Sequence, residues 1–571
     1  MAKPKVLILD GQSAAATECL LALTPGCEIH LSTPGGRCGF SLQGLTRVLT
    51  QPEPPAALRT WTEDLFRRED YQLVIPTTEV SLHALKARDL SPELRVRMAI
   101  PEEDAIDLAL NKLRTLELAA ELGIPIPASS LMTSLNDLPQ SIRYPVVIKP
   151  LYSKLPVQGR MRSFGAHICA DRRSALDACA KMLPHAPVIR QEYFRGRGAG
   201  VEVLFEHGKL RWWFAHERVH ALPVTGGAST YRRSIEAPEP LLRAANALLS
   251  RLRWHGVAMV EFKVSPEGEY RLMEINPRLW GSLPLAVAAG VDFPAGLLRL
   301  ARGEPPGEQP RYRRGLYMRH LALDLVWYAQ SWKERDNPLR IKPLQAADWW
   351  GLLRIFIGSE RWDFFRWRAP GVWWTCMRSS LGSLYRDQRS GTVRKATDEN
   401  WSKLQEGWRA DRIRRVLVLC YGNVCRSPVA ARLLSDAGLE VKSAGFLPSA
   451  ERVPPEDWVR VVENTLALDL RDHRPSTVTK DMIQWADMIL LMDTANWQAL
   501  SRTFPAAMNK AVLLGATTRG AAVDTPEIRD PYQLEDHLMQ AIALTIKCHV
   551  QELLDQRGAA TAVRDTAPQF N

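Results

Sequence analysis

The sequence predicts an α/β protein of several domains, in which two α/β regions flank a basic, tryptophan-rich helical segment. Three observations predict this organisation. Short apolar runs alternate with helical patterns near the start of the chain and again from residue 413. The length of 571 residues is several times the ~150 residues of a typical domain. The composition, 46% hydrophobic and 24% charged, is typical of a soluble globular protein.

Cysteine usage and the apolar runs bear on the location of the protein. The nine cysteines are scattered without metal-ligand spacing, which favours a reducing cytoplasm. The apolar run VLIL near the start is interrupted by Asp10, so we expect no signal peptide. No apolar run approaches the ~18 residues of a membrane span. We therefore expect a cytoplasmic protein.

Residues 1–105 read as alternating strands and helices. The runs KVLILDG, CEIHLST and YQLVIPTT are predicted strands, and SAAATECLLALT is a predicted helix. The region has neither a G-x-G-x-x-G nor a G-x-x-x-x-G-K-[ST] motif, and its Gly35-Gly36 pair is interpreted as a turn. We expect this domain to support a site formed elsewhere.

Residues 106–310 carry the candidate site. The run AIDLALNKLRTLELAAELGIPIP is a predicted helix with Lys112 near its start, and YPVVIKP is a strand that ends near Lys149. Two further strands carry Glu261 on one and Glu274 and Asn276 on the other. Because side chains alternate along a strand, these three oxygen ligands are expected on one face, where they would hold Mg²⁺ between nucleotide phosphates.

This series resembles the ATP-grasp superfamily over roughly residues 1–300, so that residues 1–105 would be its pre-ATP-grasp domain. The resemblance implies ATP and Mg²⁺, with Mn²⁺ as the alternative ion, and activation of a small-molecule carboxylate to an acyl phosphate that an amine or other nucleophile attacks. It assigns Arg278 to the transferred phosphate. It assigns nucleotide contacts to Lys112, Lys149, Gln191, Glu192, Tyr193 and Glu202, and metal ligation to Glu261, Glu274 and Asn276.

Two loops in this region are open to interpretation. Residues 153–165 stand where the resemblance places a phosphate lid, but they lack a plain glycine-rich loop and offer Gly159, Gly165 and several cations instead. Residues 226–230, GGAST, with Arg232 and Arg233, are either an acceptor loop or a surface turn.

Residues 311–412 are predicted to form a helical connector. Residues 311–410 hold 19 Lys/Arg against 10 Asp/Glu, together with ten of the chain's 18 tryptophans. We favour packing of these tryptophans on the ATP-grasp domain with the arginines in water. The alternative is that residues 345–375 contact a membrane surface, which would make the protein peripheral to a membrane. Nucleic acid is the least favoured partner.

Residues 413–556 contain the run VLVLCYGNVCRSPVAARLL. A buried parallel strand, a tight loop and a helix N-terminus form an anion-binding arrangement, because loop N–H groups and the helix dipole converge. Cys420 at the end of the strand would be a nucleophile, and Arg426 would bind two phosphate oxygens. Ser427 would donate a hydrogen bond to the sulfur, and Asn423 suits a positive φ angle.

The run resembles the V-C-x-G-N-[IV]-C-R-S-P motif of the low-molecular-weight protein tyrosine phosphatase family. The family implies a flavodoxin-like parallel-sheet domain that needs no cofactor and hydrolyses a phosphotyrosine protein or another aryl phosphate through a phospho-cysteine. Its Asp-Pro general acid corresponds to Asp530, and Gln533 stands where family members usually have a second aromatic residue. Cys425 would either form a reversible disulfide with Cys420 or simply pack in the loop.

Two alternatives to a bifunctional ligase and phosphatase are open. One half could be a non-catalytic sensor of nucleotide or phosphate. The phosphatase fold could instead reduce arsenate, but Cys548 lies in a predicted final helix and is a poor redox relay. Retention of the full residue sets favours two active enzymes. Residues 557–571 are predicted to be a disordered tail.

Overall fold

The structure is a computed structural model that describes residues 3–52, 55–86, 90–157, 160–448, 452–517, 527–532, 534 and 536–564. The chain divides into two compact units, Met1–Leu381 and Gly382–Asn571. The predicted connector is therefore divided between the two units. Each unit is described by itself below.

The first unit begins with a parallel sheet in the order β3-β2-β1-β4. The apolar side chains of its two central strands are buried on both faces, as the continuous apolar runs predicted. Gly36 lies in a turn with a φ angle of 60°. The elements are β1 (Lys5–Ile8), α1 (Ala14–Leu23), β2 (Glu28–Thr33), β3 (Leu45–Thr50), α2 (Pro55–Arg68), β4 (Tyr71–Ile75), α3 (Glu79–Leu85) and α4 (Pro92–Met98).

The helix expected around Lys112 is two helices, α5 (Glu103–Leu110) and α6 (Lys112–Glu121). Asn111 separates them in an extended conformation, and its Oδ1 accepts a hydrogen bond from the backbone N–H of Arg114 at 3.1 Å. Asparagine is a favoured N-cap residue, so it starts a new helix rather than continuing the first. Lys112 is consequently the first residue of α6.

A four-stranded antiparallel sheet follows in the order β5-β10-β6-β9, with a separate hairpin of β7 and β8. Lys149 lies near the end of β6, as predicted. Gly159 of the predicted lid lies outside the described residues. The elements are β5 (Ser129–Met132), β6 (Val146–Pro150), β7 (Lys154–Val157), β8 (Arg160–Ser163), β9 (His167–Cys169), α7 (Arg172–Met182) and β10 (Val188–Glu192), with a 3₁₀ turn at Leu135–Asp137.

The largest sheet has seven strands in the order β15-β14-β11-β12-β13-β16-β17. One face packs on α8, and the other packs on α9, α10 and the N-terminal sheet. The elements are β11 (Arg197–Glu206), β12 (Lys209–Leu222), β13 (Ala228–Ile235), α8 (Glu239–Arg251), β14 (Gly256–Val264), β15 (Tyr270–Asn276), α9 (Leu283–Ala289), α10 (Phe293–Ala301), β16 (Tyr317–Arg319) and β17 (Glu360–Trp362).

The predicted helical connector also supplies strands. β16 extends the sheet edge at β13, and β17 pairs with β16 in parallel. Strands of three residues are too short to show an alternating pattern, so these two strands could not be predicted from the sequence. The helical elements are α11 (Leu321–Lys333), α12 (Ala346–Gly351), a 3₁₀ turn at Leu352–Ile355 and α13 (Pro370–Arg409).

The favoured interpretation of the connector tryptophans holds only in part. Trp327 is buried in the first unit, whereas Trp401 and Trp408 are buried in the core of the second unit. Five others are exposed: Trp332, Trp349, Trp350, Trp367 and Trp374. Residues 311–412 therefore pack some tryptophans inside and leave others on the surface.

The second unit contains the predicted parallel sheet, in the order β19-β18-β20-β21. Its final helix runs to Arg564, so residues 557–564 of the predicted tail are helical; the alanine-rich run GAATAV favours a helix. The elements are β18 (Arg415–Cys420), α14 (Arg426–Asp436), β19 (Glu440–Gly445), α15 (Glu456–Leu466), α16 (Lys480–Trp485), β20 (Met488–Leu491), α17 (Thr494–Thr503), β21 (Ala511–Leu513) and α18 (Asp536–Arg564), with 3₁₀ turns at Pro505–Lys510 and Leu514–Ala516.

In the described part of the chain, no single helix has the length and apolar character needed to cross a membrane. The bent pair of α9 and α10 passes that test jointly by composition. Leu283, Leu285, Phe293 and Leu297 of this pair are buried in the core of the first unit.

Candidate active sites

Cys420 ends β18, and α14 begins six residues later at Arg426, so a short loop surrounds the sulfur. The backbone N–H of Asn423 donates to Cys420 Sγ at 3.2 Å, and the Ser427 hydroxyl donates to it at 3.0 Å. Both contacts place a positive dipole at the sulfur and stabilise negative charge there. The predicted roles of Cys420 and Ser427 are therefore compatible with their positions.

Asn423 holds the loop in shape. Its φ angle is 55°, a left-handed conformation that asparagine tolerates. Its side-chain amide donates to the hydroxyls of Ser427 at 3.0 Å and Ser443 at 3.1 Å, and its Oδ1 accepts from the Ser476 N–H at 2.9 Å. Burial lowers the pKa of His473, whose Nε2 donates to the Asn423 carbonyl at 2.8 Å. Asn423 thus ties the loop to β19 and to residues 473–476.

Arg426 is buried between two carboxylates. NH1 donates to Asp493 at 2.5 Å and to the Ile528 carbonyl at 2.7 Å, and NH2 donates to Asp530 at 2.8 Å. Burial opposes its charge, but Asp493 and Asp530 raise the pKa of Arg426. Among the residues that the structure describes, nothing accepts from its buried Nε–H. This donor remains available for an anion in the loop.

The surroundings of Cys425 favour the packing alternative. Its side chain is buried, both loop cysteines are free thiols, and its carbonyl accepts from Trp458 Nε1 at 3.3 Å. Burial raises the pKa of Cys425, and Asp530 and Cys420 add to the effect. Sequence reasoning missed Asp493 and Trp458, because neither lies in a motif and both meet the loop only through the fold.

The first unit contains a cavity of ≈ 360 Å³ between the two antiparallel sheets. Lys112, Lys149, Gln191, Glu261 and Glu274 line one end of it, as the nucleotide prediction required. The rest of the lining comes from β12, from the loop after it and from the connector: Arg218, His220, Gly226, Gly227, Trp327 and Lys342. The connector thus forms part of the cavity wall.

The three predicted metal ligands lie together. Glu261 and Glu274 are opposite each other in the β14–β15 pair, and Asn276 Nδ2 donates to Glu261 Oε1 at 3.0 Å. Arg218, which sequence reasoning missed, donates to Glu261 Oε2 at 2.5 Å. No group of three His, Cys, Asp or Glu side chains suited to a metal occurs in the described residues, and this set is two carboxylates and an amide. Hard oxygen donors of this kind fit Mg²⁺ that is also bound by phosphates.

Cations surround these carboxylates. Lys112 Nζ lies 3.9 Å from Glu274 Oε2 and donates to the Ser153 hydroxyl at 2.5 Å. Burial opposes the charge of Glu274, but Lys112 and Lys149 lower its pKa. Burial lowers the pKa of Lys149 to about 8, against the opposing effect of Glu274. An anionic ligand at this end of the cavity would favour the charged form of both lysines.

The structure brings some of the remaining predicted residues to the cavity and not others. Gln191 lines it, and its Nε2 donates to the Ser129 hydroxyl at 2.9 Å. Tyr193 lies under Lys263, with Nζ 5.2 Å from the ring centre. Glu192 accepts from the Ala128 N–H at 3.3 Å, away from the described cavity lining. Lys263, which sequence reasoning missed, lines the cavity and has a pKa lowered by burial to about 8.

Glu202 and Arg278 are engaged elsewhere. Glu202 is fully buried, with Oε1 2.6 Å from His216 Nδ1 and 3.4 Å from the Ser282 hydroxyl. Arg278 NH2 donates to Glu79 on α3 at 3.2 Å. Neither side chain belongs to the described lining of the cavity. Arg278 nevertheless stays close to the predicted metal ligands, because it follows Asn276 by two residues and its charge helps to lower the pKa of Glu274.

The loop at residues 226–230 reaches the cavity through its two glycines. Its neighbouring arginines do not stay free, because Arg232 pairs with Asp363 and Arg233 pairs with Glu217. The loop fits an acceptor position better than a plain surface turn, whereas the two arginines are already neutralised.

Comparisons with known proteins agree with both sites. The profile "Low molecular weight phosphotyrosine protein phosphatase" matches residues 415–564. The "Probable low molecular weight protein-tyrosine-phosphatase AmsI" of Erwinia amylovora is 33% identical over 132 residues, which is 23% of this chain and 88% of that protein. The chain belongs to the low molecular weight phosphotyrosine protein phosphatase family. The "Protein-arginine-phosphatase" of Geobacillus stearothermophilus is 35% identical over 121 residues, 21% of this chain and 78% of that protein.

The first unit has its own match. The profile "ATP-grasp in the biosynthetic pathway with Ter operon" covers residues 185–322. The solved structure of L-amino acid ligase from Bacillus licheniformis is similar with a TM-score of 0.44 and 16% identity, over 56% of this chain and 79% of that one. The two profile matches show a fusion of an ATP-grasp domain with a phosphatase domain.

Proposed function

We propose that the chain is a bifunctional enzyme. Its first unit uses ATP and Mg²⁺ to activate a small-molecule carboxylate for ligation to an amine or other nucleophile. Its second unit hydrolyses an aryl phosphate, such as a phosphotyrosine side chain, through a phospho-cysteine. The observation that carries the phosphatase proposal is that the Asn423 N–H and the Ser427 hydroxyl both donate to Cys420 Sγ, with the buried Arg426 at the start of the helix that follows the loop.

In the phosphatase reaction, Cys420 Sγ attacks phosphorus, and a sulfur–phosphorus bond forms as the bond to the aryl oxygen breaks. Asp530 gives its proton to the departing aryl oxygen. In the second step, water attacks phosphorus, Asp530 takes a proton from it, and the electron pair returns to Sγ. The Ser427 hydroxyl, 3.0 Å from Sγ, stabilises that leaving thiolate.

Two exposed tyrosines favour an aryl substrate. Tyr421 follows Cys420, and Tyr532 follows Asp530 and Pro531; both side chains are exposed. Flat apolar surfaces beside the loop suit an aromatic ring. Gln533, the departure noted in the sequence, lies outside the described residues. Because the arginine phosphatase relative is about as similar as AmsI, phosphoarginine is the substrate to compare.

In the ligase reaction, Glu261, Glu274 and Asn276 would hold Mg²⁺, which neutralises phosphate charge when bound. Lys112 and Lys149 would bind phosphate oxygens, and Gln191 would contact the adenine. The acceptor would occupy the end lined by Arg218, His220 and the glycines of residues 226–230, next to the predicted phosphate position. Trp327 there provides an apolar surface, so we expect an acceptor with an apolar part.

Two other functions are less well supported. A sensor with one non-catalytic half would not need both complete sets of reactive side chains. Arsenate reduction would need a relay thiol, but burial and Glu552 raise the pKa of Cys548, which contacts that carboxylate at 3.5 Å in α18. A thiol held in the protonated form is a poor nucleophile for the relay.

The test is to assay both reactions in two single variants of the full chain. Cys420→Ser should abolish hydrolysis of p-nitrophenyl phosphate without metal and leave ATP binding intact. Glu274→Ala should stop ATP-dependent phosphate release in a screen of carboxylates and amines, and leave aryl phosphatase activity within about twofold. Cys425→Ser is the matched control and should keep phosphatase activity. Normal turnover by Cys420→Ser, or loss of both activities in a folded single variant, would overturn the proposal.

A further inference from the structure

The outer side of the segment around α12 is apolar where a water-facing helix is normally polar. Trp349, Trp350, Leu353, Phe356 and Ile357 are exposed, with 72% of Trp350, 83% of Phe356 and 77% of Ile357 accessible. Trp349 and Trp350 lie in α12, Leu353 lies in the following 3₁₀ turn, and Phe356 and Ile357 come directly after that turn. This group is called the aromatic face below.

The inner side of the same run is firmly attached to the first unit. Asp348 is buried, and its carbonyl accepts from the Tyr328 hydroxyl at 2.6 Å. Leu352 packs against the cluster of Val224, Trp327 and Tyr328. Arg354 donates to the Tyr231 hydroxyl at 2.9 Å and stacks over the Tyr317 ring at 4.1 Å. The polarity of the run is thus reversed: polar groups point inward and apolar side chains point outward.

Within residues 345–380, the exposed charged side chains have one sign. The acidic residues between positions 345 and 380 are Asp348, Glu360 and Asp363, and all three are buried. Exposed cations remain on the outside, among them Arg361 and Arg368. The exposed Arg313 side chain donates to the Gly358 carbonyl at 3.2 Å, directly beside Phe356 and Ile357. The surroundings of the aromatic face therefore carry positive charge without an exposed carboxylate in this stretch.

The stretch that follows has the same chemistry. Trp367 is 89% exposed and packs edge-on against Phe365 at 5.0 Å, and Trp374 is also exposed. Exposed tryptophans together with arginines are typical of segments that lie in the headgroup region of a bilayer. Protein interfaces usually surround their apolar centre with polar groups of both signs, which this stretch does not offer.

We propose that the aromatic face docks the first unit on an anionic lipid surface. Trp349, Trp350, Leu353, Phe356 and Ile357 enter the headgroup region, while Arg313, Arg361 and Arg368 contact lipid phosphates. The proposal does not depend on the ligase or phosphatase assignment, because it uses no residue of either site. It makes the protein a reversible peripheral membrane protein whose binding weakens with salt.

The test is sedimentation of the full chain with vesicles of phosphatidylcholine alone and of an equal mixture of phosphatidylcholine and phosphatidylserine. The wild-type chain should bind the mixed vesicles and release them at high salt. The triple variant Trp350→Ser, Phe356→Ser, Ile357→Ser should lower the partition coefficient by roughly tenfold or more. Arg313→Ser should lower the partition coefficient about fivefold on mixed vesicles and leave the partition coefficient on vesicles of phosphatidylcholine alone unchanged.

Trp332→Ser is the matched control, since this tryptophan is 66% exposed on α11, outside the aromatic face. It should bind like the wild type. Gel filtration and circular dichroism establish that each variant is folded. Failure of the wild type to bind mixed vesicles, or unchanged binding by the triple variant, would overturn the proposal. The proposal would also be overturned if the wild type does not bind lipid but self-associates, and the triple substitution removes this self-association. The aromatic face would then bind a second copy of the chain.

Discussion

Lys149 should make ATP binding depend on pH in a range where few other groups titrate. Burial lowers its pKa to about 8, so the free protein loses this charge between pH 7 and 9. Bound phosphates restore a partner and hold Lys149 protonated. Binding therefore takes up a proton above pH 8, and the affinity for Mg-ATP should fall about tenfold from pH 7 to 9, which is ~1.4 kcal/mol.

Titration calorimetry at both pH values, in buffers of different ionisation enthalpy, measures the affinity and the proton uptake together. Lys149→Arg keeps its charge throughout and should remove most of the pH dependence. Lys209→Met is the control, because Lys209 is exposed at the start of β12 and lies outside the described cavity lining. It should keep the slope. An affinity that is flat from pH 7 to 9 in the wild type, or an unchanged slope in Lys149→Arg, would refute the reasoning.

The other predictions concern backbone packing, the general acid and a buried carboxylate. A Cβ at Gly445 would lie 2.9 Å from backbone atoms of residues 421–423. Gly445→Ala should therefore lower the unfolding free energy by about 1–3 kcal/mol and reduce phosphatase turnover. Gly391→Ala is the control and should do neither, because the space around Gly391 is open. Asp530→Asn should slow hydrolysis by roughly a hundredfold for phenyl phosphate and much less for p-nitrophenyl phosphate, whose leaving group needs no proton; equal losses would contradict the acid role. Burial raises the pKa of Glu18 to about 7 in the folded state, so stability should decrease as pH rises from about 4.5 to 7. Glu18→Gln should reduce the change of the thermal unfolding midpoint with pH over that range. Parallel curves of midpoint against pH for the two proteins would argue against this role of Glu18.

The phosphatase loop could be predicted from the sequence because its chemistry is local. Cys420, Asn423, Arg426 and Ser427 lie within eight consecutive residues, between a strand and a helix that both have clear patterns. Asp493 could not be predicted, because it reaches Arg426 only through the parallel neighbour strand β20. Contacts of this kind depend on strand order, which periodicity does not give.

The ATP-grasp site was predictable in its strands and less so in its loops. Alternation along β14 and β15 predicted that Glu261, Glu274 and Asn276 share a face, and they do. The same rule puts Glu202 on that face, yet it is fully buried on β11 with Oε1 against His216, while its buried Oε2 has no hydrogen-bond partner among the described residues. Alternation gives the face of a side chain but not its depth below the cavity.

The ion pair between Arg426 and Asp530 means that the resting phosphatase loop supplies its own counter-ion. Asp530 Oδ2 occupies one guanidinium nitrogen at 2.8 Å, a position that an incoming phosphate needs. In the proposed mechanism, a substrate oxygen would displace this carboxylate, which would leave Asp530 free to turn towards the leaving group. Phosphate binding and the release of Asp530 from Arg426 would then be one event, and weakly binding anions would have to compete with Asp530 for Arg426.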